Sequence, residues 1–250
     1  MRRSRLSAAA VAAVMLAAGT AFAAGRSRTP RGDAPLPRGS EKVRIDPADF
    51  SPRIDNRRWP MTVGSRWIYR VTNMETGRTE RQVITVTRQT RLMADGVRAR
   101  VVRDVVTDHG RPVEVTEDWY AQDRKGNVWY FGEHTTAYEH GKASDNGTWQ
   151  AGLHGAMPGV ALPANPAVGL AYREEYSKGV AEDQSRILDL ENQVQVHAGR
   201  FTHVVLAVDS SPIEPDVAEL KFYAAGSGQA VLAIDVSGGS DREELVSYTR

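Results

Sequence analysis

No cysteine occurs in the 250 residues. This removes disulfides, thiolate nucleophiles, iron–sulfur clusters, Cys-ligated zinc and the lipid-modified cysteine that tethers a bacterial lipoprotein. Lysine is scarce, 5 against 27 arginines, a bias that GC-rich coding also produces. Motifs of the common catalytic centres are missing as well. The six histidines (His109, His134, His140, His154, His197, His203) show no His-Glu-x-x-His spacing, there is no Gly-x-Ser-x-Gly elbow, and Gly226-Ser227-Gly228 lacks the third glycine and following helix of a phosphate cradle. No cofactor, metal or catalytic residue is expected, and an enzyme is the less favoured reading.

What is present begins with an export signal. Arg2, Arg3 and Arg5 form a positive n-region, residues 6–18 a soft Ala-, Val- and Leu-rich core, and Ala21-Phe22-Ala23 the small residues before a cut. Residues 1–23 are read as a signal peptide cleaved after Ala23, and Arg2-Arg3 fits twin-arginine export as well as ordinary secretion. Beyond it nothing approaches the roughly 20 apolar residues of a membrane helix, so the mature chain is expected to be secreted, periplasmic or in the cell envelope. Residues 24–45 form a Pro- and Gly-rich leader expected to be flexible. Residues 24–44 carry +4 and residues 45–250 carry −6. An acidic body with a short basic arm excludes nucleic acid as a partner.

From Gly64 onward the apolar signal has period two, with turn clusters such as Ala94-Asp95-Gly96, Asp108-His109-Gly110-Arg111 and residues 123–127. The expectation is a single all-β domain over residues 46–250: an antiparallel meander of roughly ten to twelve strands curved into a half-barrel or open barrel, with few short helices. Residues 46–50 fit one capped turn and residues 181–190 a short helix. Residues 151–169, with repeated Pro and Gly, are expected to be a long loop or lid and not a central strand.

Chemistry concentrates around residues 97–149. Trp119, Tyr120, Trp129, Tyr130, Phe131, Tyr138 and Trp149 flank one turn. They are either a cross-strand core cluster or a stacking platform for an apolar or sugar-like ligand. If His109-Gly110 is a two-residue loop, Arg103 lies opposite Thr116 with Glu114 and Asp118 as diagonal neighbours, an arginine between two carboxylates. If Arg124-Lys125-Gly126 is a three-residue loop, Glu117 faces Glu133, while a four-residue loop dissolves that pair. Residues 123–127 lack the acidic ladder of a calcium loop and are read as a turn.

The chain resembles an uncharacterised family of secreted bacterial proteins from about Phe50 onward. The matching residues include Ile54-Asp55-Asn56 with Trp59-Pro60, the central Asp118-Trp119-Tyr120-Ala121-Gln122-Asp123 with Gly126-Asn127-Val128-Trp129-Tyr130, Gly132-Glu133, Trp149 and Pro163-Ala164. It departs at Arg57-Arg58 and Ala225, and the resemblance implies no known activity. More weakly, Tyr223-Ala224 with Gly226-Ser227-Gly228 is similar to periplasmic lipoprotein-carrier half-barrels, which implies a sheet curved around an apolar cavity.

These readings combine into a non-catalytic extracytoplasmic binding module for a lipid or other apolar or amphipathic small molecule, with Arg103, Asp118, Trp119, Tyr120, Trp129, Tyr130 and Glu133 as ligand-binding residues. The alternatives are a structural or partner-binding envelope protein, its protein partner unknown, and a hydrolase using Glu117 and Glu133.

Overall fold

The structure is a computed structural model that describes residues 35–139 and 142–250. The expected signal peptide and the first part of the leader lie outside the described residues. The strands are β1 (Phe50–Ser51), β2 (Ile54–Asp55), β3 (Pro60–Met61), β4 (Arg66–Asn73), β5 (Thr79–Leu92), β6 (Arg98–Asp108), β7 (Arg111–Asp123), β8 (Val128–Glu139), β9 (Lys142–Ser144), β10 (Trp149–Gln150), β11 (Met157–Leu162), β12 (Ala171–Arg173), β13 (Glu175–Tyr176), β14 (Gln184–Val196), β15 (Gly199–Ser211), β16 (Glu214–Tyr223), β17 (Ala230–Ser237) and β18 (Asp241–Thr249). The main sheet runs β12-β14-β15-β16-β17-β18-β4-β5-β6-β7-β8-β11-β13, with antiparallel pairing throughout. The all-β expectation holds, and of the half-barrel and the open barrel the structure has the open barrel: the sheet is nearly closed, with one seam. The strand number exceeds the expectation because several two- and three-residue strands have no period to read.

Two local expectations were wrong for a shared reason. Residues 157–162 form β11, paired to both β8 and β13, because Gly159 removes the side chain where the backbone of β11 meets the carbonyls of Arg173 and Glu174. Residues 184–190 are strand, not helix, bonded to β15 on one side and β12 on the other. In both segments tertiary pairing overrides local propensity. The expected capped turn is present as a 3-10 turn at Pro47–Asp49, with the Asp46 side chain accepting from the Ala48 N–H.

The seam lies between β12 and β13, which follow one another in the chain, and Arg173 seals it. Its guanidinium, fully buried, donates to the carbonyls of Pro158, Gly39 and Glu41, and its backbone N–H to that of Pro37. Residues 35–45, expected to be flexible, are thereby held as a strap against the sheet edge; the composition that argued against a core says nothing about carbonyls offered to one buried cation. One end of the barrel is closed by residues 56–61. The Trp59 ring stacks on Tyr223 at 5.5 Å and leans on Tyr120 at 5.9 Å, bridging β16 and β7. Below it Trp67 donates to the Ser227 carbonyl, and Gly228 leaves no room for a Cβ against the Trp67 ring.

Replacing Arg173 by Ala should leave the Pro158, Gly39 and Glu41 carbonyls without their donor and cost about 1–3 kcal/mol. Trypsin should then cut at Arg38, Lys42 and Arg44 well before the barrel unfolds, as read by limited proteolysis alongside urea unfolding. Unchanged protection of these sites would show that the strap is held by something else.

Candidate functional site

The central block alternates across the sheet. His109 and Gly110 have φ of 48° and 78°, as a two-residue turn requires, and Asp108 pairs with Arg111 as expected. A bulge at Val113 then moves every later pair by one: Val106 meets Glu114, Asp104 meets Thr116 and Arg103 meets Glu117. The group between Glu114 and Asp118 is therefore the inward Asp104, not Arg103, which is exposed on the outer face.

The second hairpin repeats the effect. Its loop has three residues, closed by the Asp123 N–H on the Asn127 carbonyl at 3.0 Å, and Tyr120 pairs with Tyr130. A bulge at Phe131-Gly132 follows, with Gly132 at φ 124° and no space for a Cβ beside the Trp149 carbonyl. Asp118 consequently meets Glu133, and Glu117 meets His134. Glu117 and Glu133 lie on opposite faces, which removes them as an acid–base pair.

The expected ligand set is thus split by the sheet. Asp118, Tyr120, Tyr130 and Glu133 come together on the inner face; Arg103, Trp119 and Trp129 belong to the outer one. Trp119 is 1% exposed under the Arg91 guanidinium, and Trp129 is 6% exposed, edge-on to Phe50, with its indole N–H held by Asp123 at 2.8 Å. These two indoles are already covered by the protein and offer no stacking platform.

Asp123 also accepts from Lys125 N, Asn127 N and Asn127 Nδ2. Asn56 donates to the Gly126 carbonyl, Gln122 Oε1 accepts from the backbone N–H groups of Asp55 and Asn56, and Asn127 Oδ1 accepts from Ala164 N. The polar residues that carry the family resemblance here bind the end plug and residues 163–164 to one turn.

On the inner face the Tyr130 hydroxyl lies 2.7 Å from Asp118 Oδ1 and 3.2 Å from Glu133 Oε2. Tyr120 and Tyr130 stack at 4.8 Å, and Trp149 meets Tyr130 edge-on at 5.5 Å while donating to Glu175 Oε2 at 3.0 Å. Asp118, Tyr120, Tyr130, Glu133, Glu175 and Lys221 are half-buried, so these inward groups keep surface that water reaches. Among the described residues neither Asp118 nor Glu133 has a basic partner.

Burial pushes Asp118 up to about 8, with Glu133 beside it adding to the effect and the Tyr130 hydrogen bond opposing it. Glu133 is raised to about 7, first by burial and then by Glu114. Asp104 is raised by burial and by Asp118, although Gln82 donates to it at 2.6 Å. Glu174 and Glu175 are raised by burial and by neighbouring carboxyls, and Asp183 is raised by burial against an opposing hydrogen bond from Glu175. Lys221 is ion-paired with Asp209 at 2.7 Å and with Glu219 at 3.3 Å. Burial lowers its affinity for a proton, but Asp209 and Glu219 more than reverse this.

Glu219, Lys221, Asp209, Glu175 and Asp183 had no place in the sequence-based set. A signal existed for the first two: Val217, Glu219, Lys221 and Tyr223 alternate onto one face, and the two apolar members are buried.

No family model matches the chain, and no curated protein matches it. Two solved structures resemble it: a Bacteroides fragilis protein with a YmcC-like fold, named for export, and a Parabacteroides distasonis protein named as a lipoprotein. The first is 13% identical with a TM-score of 0.44, over 78% of this chain and 100% of that one. The second is 13% identical with a TM-score of 0.42, over 78% and 99%. No helix among the described residues is long and apolar enough to cross a membrane.

The raised carboxyls make stability depend on pH in a definite direction. Folded Asp118 and Glu133 hold protons that the unfolded chain, with ordinary carboxyl values, releases, so their contribution is complete below about pH 4 and is lost as pH rises through about 7 to 8. The midpoint of thermal unfolding should be higher at pH 5.5 than at pH 8.5 (~3 pH units apart), and Asp118→Asn should flatten that dependence. A midpoint that rises with pH over the same range, equally in both proteins, would contradict the assignment.

Proposed function

We propose that the protein is a non-catalytic, extracytoplasmic binding module whose barrel interior takes an amphipathic small molecule by a cationic end. The observation that carries this reading is the Asp118–Glu133 pair, bridged by Tyr130 and unopposed by any basic side chain among the described residues. A desolvated carboxyl pair holds protons at neutral pH because it lacks a cation, and an amine or quaternary ammonium supplies one. The rings of Tyr120, Tyr130 and Trp149 beside it add the apolar and cation–π surface that such a ligand uses. The apolar cavity implied by the carrier-like resemblance gives way in this reading to an acidic one. Export rests on the N-terminal signal pattern.

A second reading, a structural or partner-binding envelope protein, draws on the outer-face packing of Trp119 and Trp129. Under it Trp119→Ala costs about 3–5 kcal/mol and changes no small-molecule binding.

Dodecylamine and dodecanoate, titrated against intrinsic tryptophan fluorescence, separate the two readings. Saturable binding of dodecylamine, absent with dodecanoate and lost in Asp118→Asn and Glu133→Gln, is expected, with protons released on binding near pH 7 (about the Glu133 value). Equal response to both amphiphiles would overturn recognition by a cationic end, and response to neither would favour the structural reading.

A further inference from the structure

The outer face of β4 to β8 carries a pattern unrelated to the interior. In register across the strands run Ile68, Val83, Val105 and Val115, a row of half-buried aliphatic side chains that do not belong to the hydrophobic core. One flanking row reads Glu244, Arg70, Arg81, Thr107; the other reads Arg66, Thr85, Arg103, Glu117, His134. Arg66, Arg70, Arg81 and Arg103 are exposed, and among the described residues their side chains have no ion-pair or hydrogen-bond partner, although Glu244 and Glu117 stand in the same rows. An aliphatic stripe between unpaired arginines fits an interface that is anionic at the level of the guanidinium groups and apolar just beyond it. A soluble polyanion satisfies the arginines and leaves the Ile–Val row uncovered; a bilayer satisfies both.

We infer that this face docks the protein peripherally on an anionic lipid bilayer, with Arg66, Arg70, Arg81 and Arg103 on lipid phosphates and Ile68, Val83 and Val105 at the headgroup boundary. The surface lies on the opposite side of the sheet from the acidic interior, so docking leaves the interior face free. It also stands independently of the ligand reading. Flotation of the full chain with vesicles of phosphatidylglycerol in phosphatidylcholine, and with phosphatidylcholine alone, tests it. The four-fold variant Arg66→Ser/Arg70→Ser/Arg81→Ser/Arg103→Ser is compared with a charge-matched variant, Arg44→Ser/Arg53→Ser/Arg186→Ser/Arg200→Ser, both checked for unchanged circular dichroism. The expected result is binding to the anionic vesicles only, weakened by salt, reduced about tenfold or more by the first variant and little by the second. The single change Val83→Ser, with all charges kept, should also weaken it. Equal losses in the two variants, no binding to either vesicle, or binding to soluble polyphosphate without binding to vesicles would overturn the proposal.

Discussion

Two single-residue bulges decide which charges this barrel encloses. Side chains alternate strictly along a strand, so one extra residue exchanges the two faces of everything beyond it. Val113 turns Asp104 inward in place of Arg103, and Phe131-Gly132 brings Glu133 opposite Asp118 in place of Glu117. Without the first, an arginine would neutralise the inner carboxylates. Without the second, Asp118 would face Gly132 and the acid pair would not exist. The acidity of the interior is therefore a property of register as much as of composition, and the raised carboxyl values follow from it by desolvation.

This explains what could and could not be read from the sequence. Alternating apolar runs and turn clusters were sufficient for an all-β barrel and for the positions of both hairpin turns; the loop lengths stayed open in the sequence, and the structure has the two-residue His109-Gly110 turn and, of the three- and four-residue alternatives, the three-residue Arg124-Lys125-Gly126 loop. The bulges were not legible, because Val113 is an ordinary strand residue and Gly132 has several structural roles open to it. Each candidate constellation was thus one residue out. The seam was hidden for another reason: Arg173 looks like any other arginine until the carbonyls of Gly39 and Glu41 are seen around it.

The residues that suggested one aromatic site serve two purposes. Asp118, Tyr120, Tyr130 and Glu133 are half-buried on the inner face, whereas Trp119, Trp129 and the network around Asp123 hold outer elements and the end plug in place. A dense motif is consistent with a demanding turn as well as with a ligand, and here the turn accounts for most of its polar members.

The position of β18 has a consequence for how the chain comes into being. Residues 241–249 fill the gap between β17 and β4, joining residues 66–73 to a strand made much later. Until they have emerged, the growing chain presents two bare strand edges, on β4 and on β17, each able to pair with a neighbour. Closure requires a loop spanning most of the polypeptide, a slow kind of contact to form. A nascent chain of this architecture stays open until β18 is made, which makes protection of those two edges, up to the moment of closure, a principal demand on any chaperone that accompanies it.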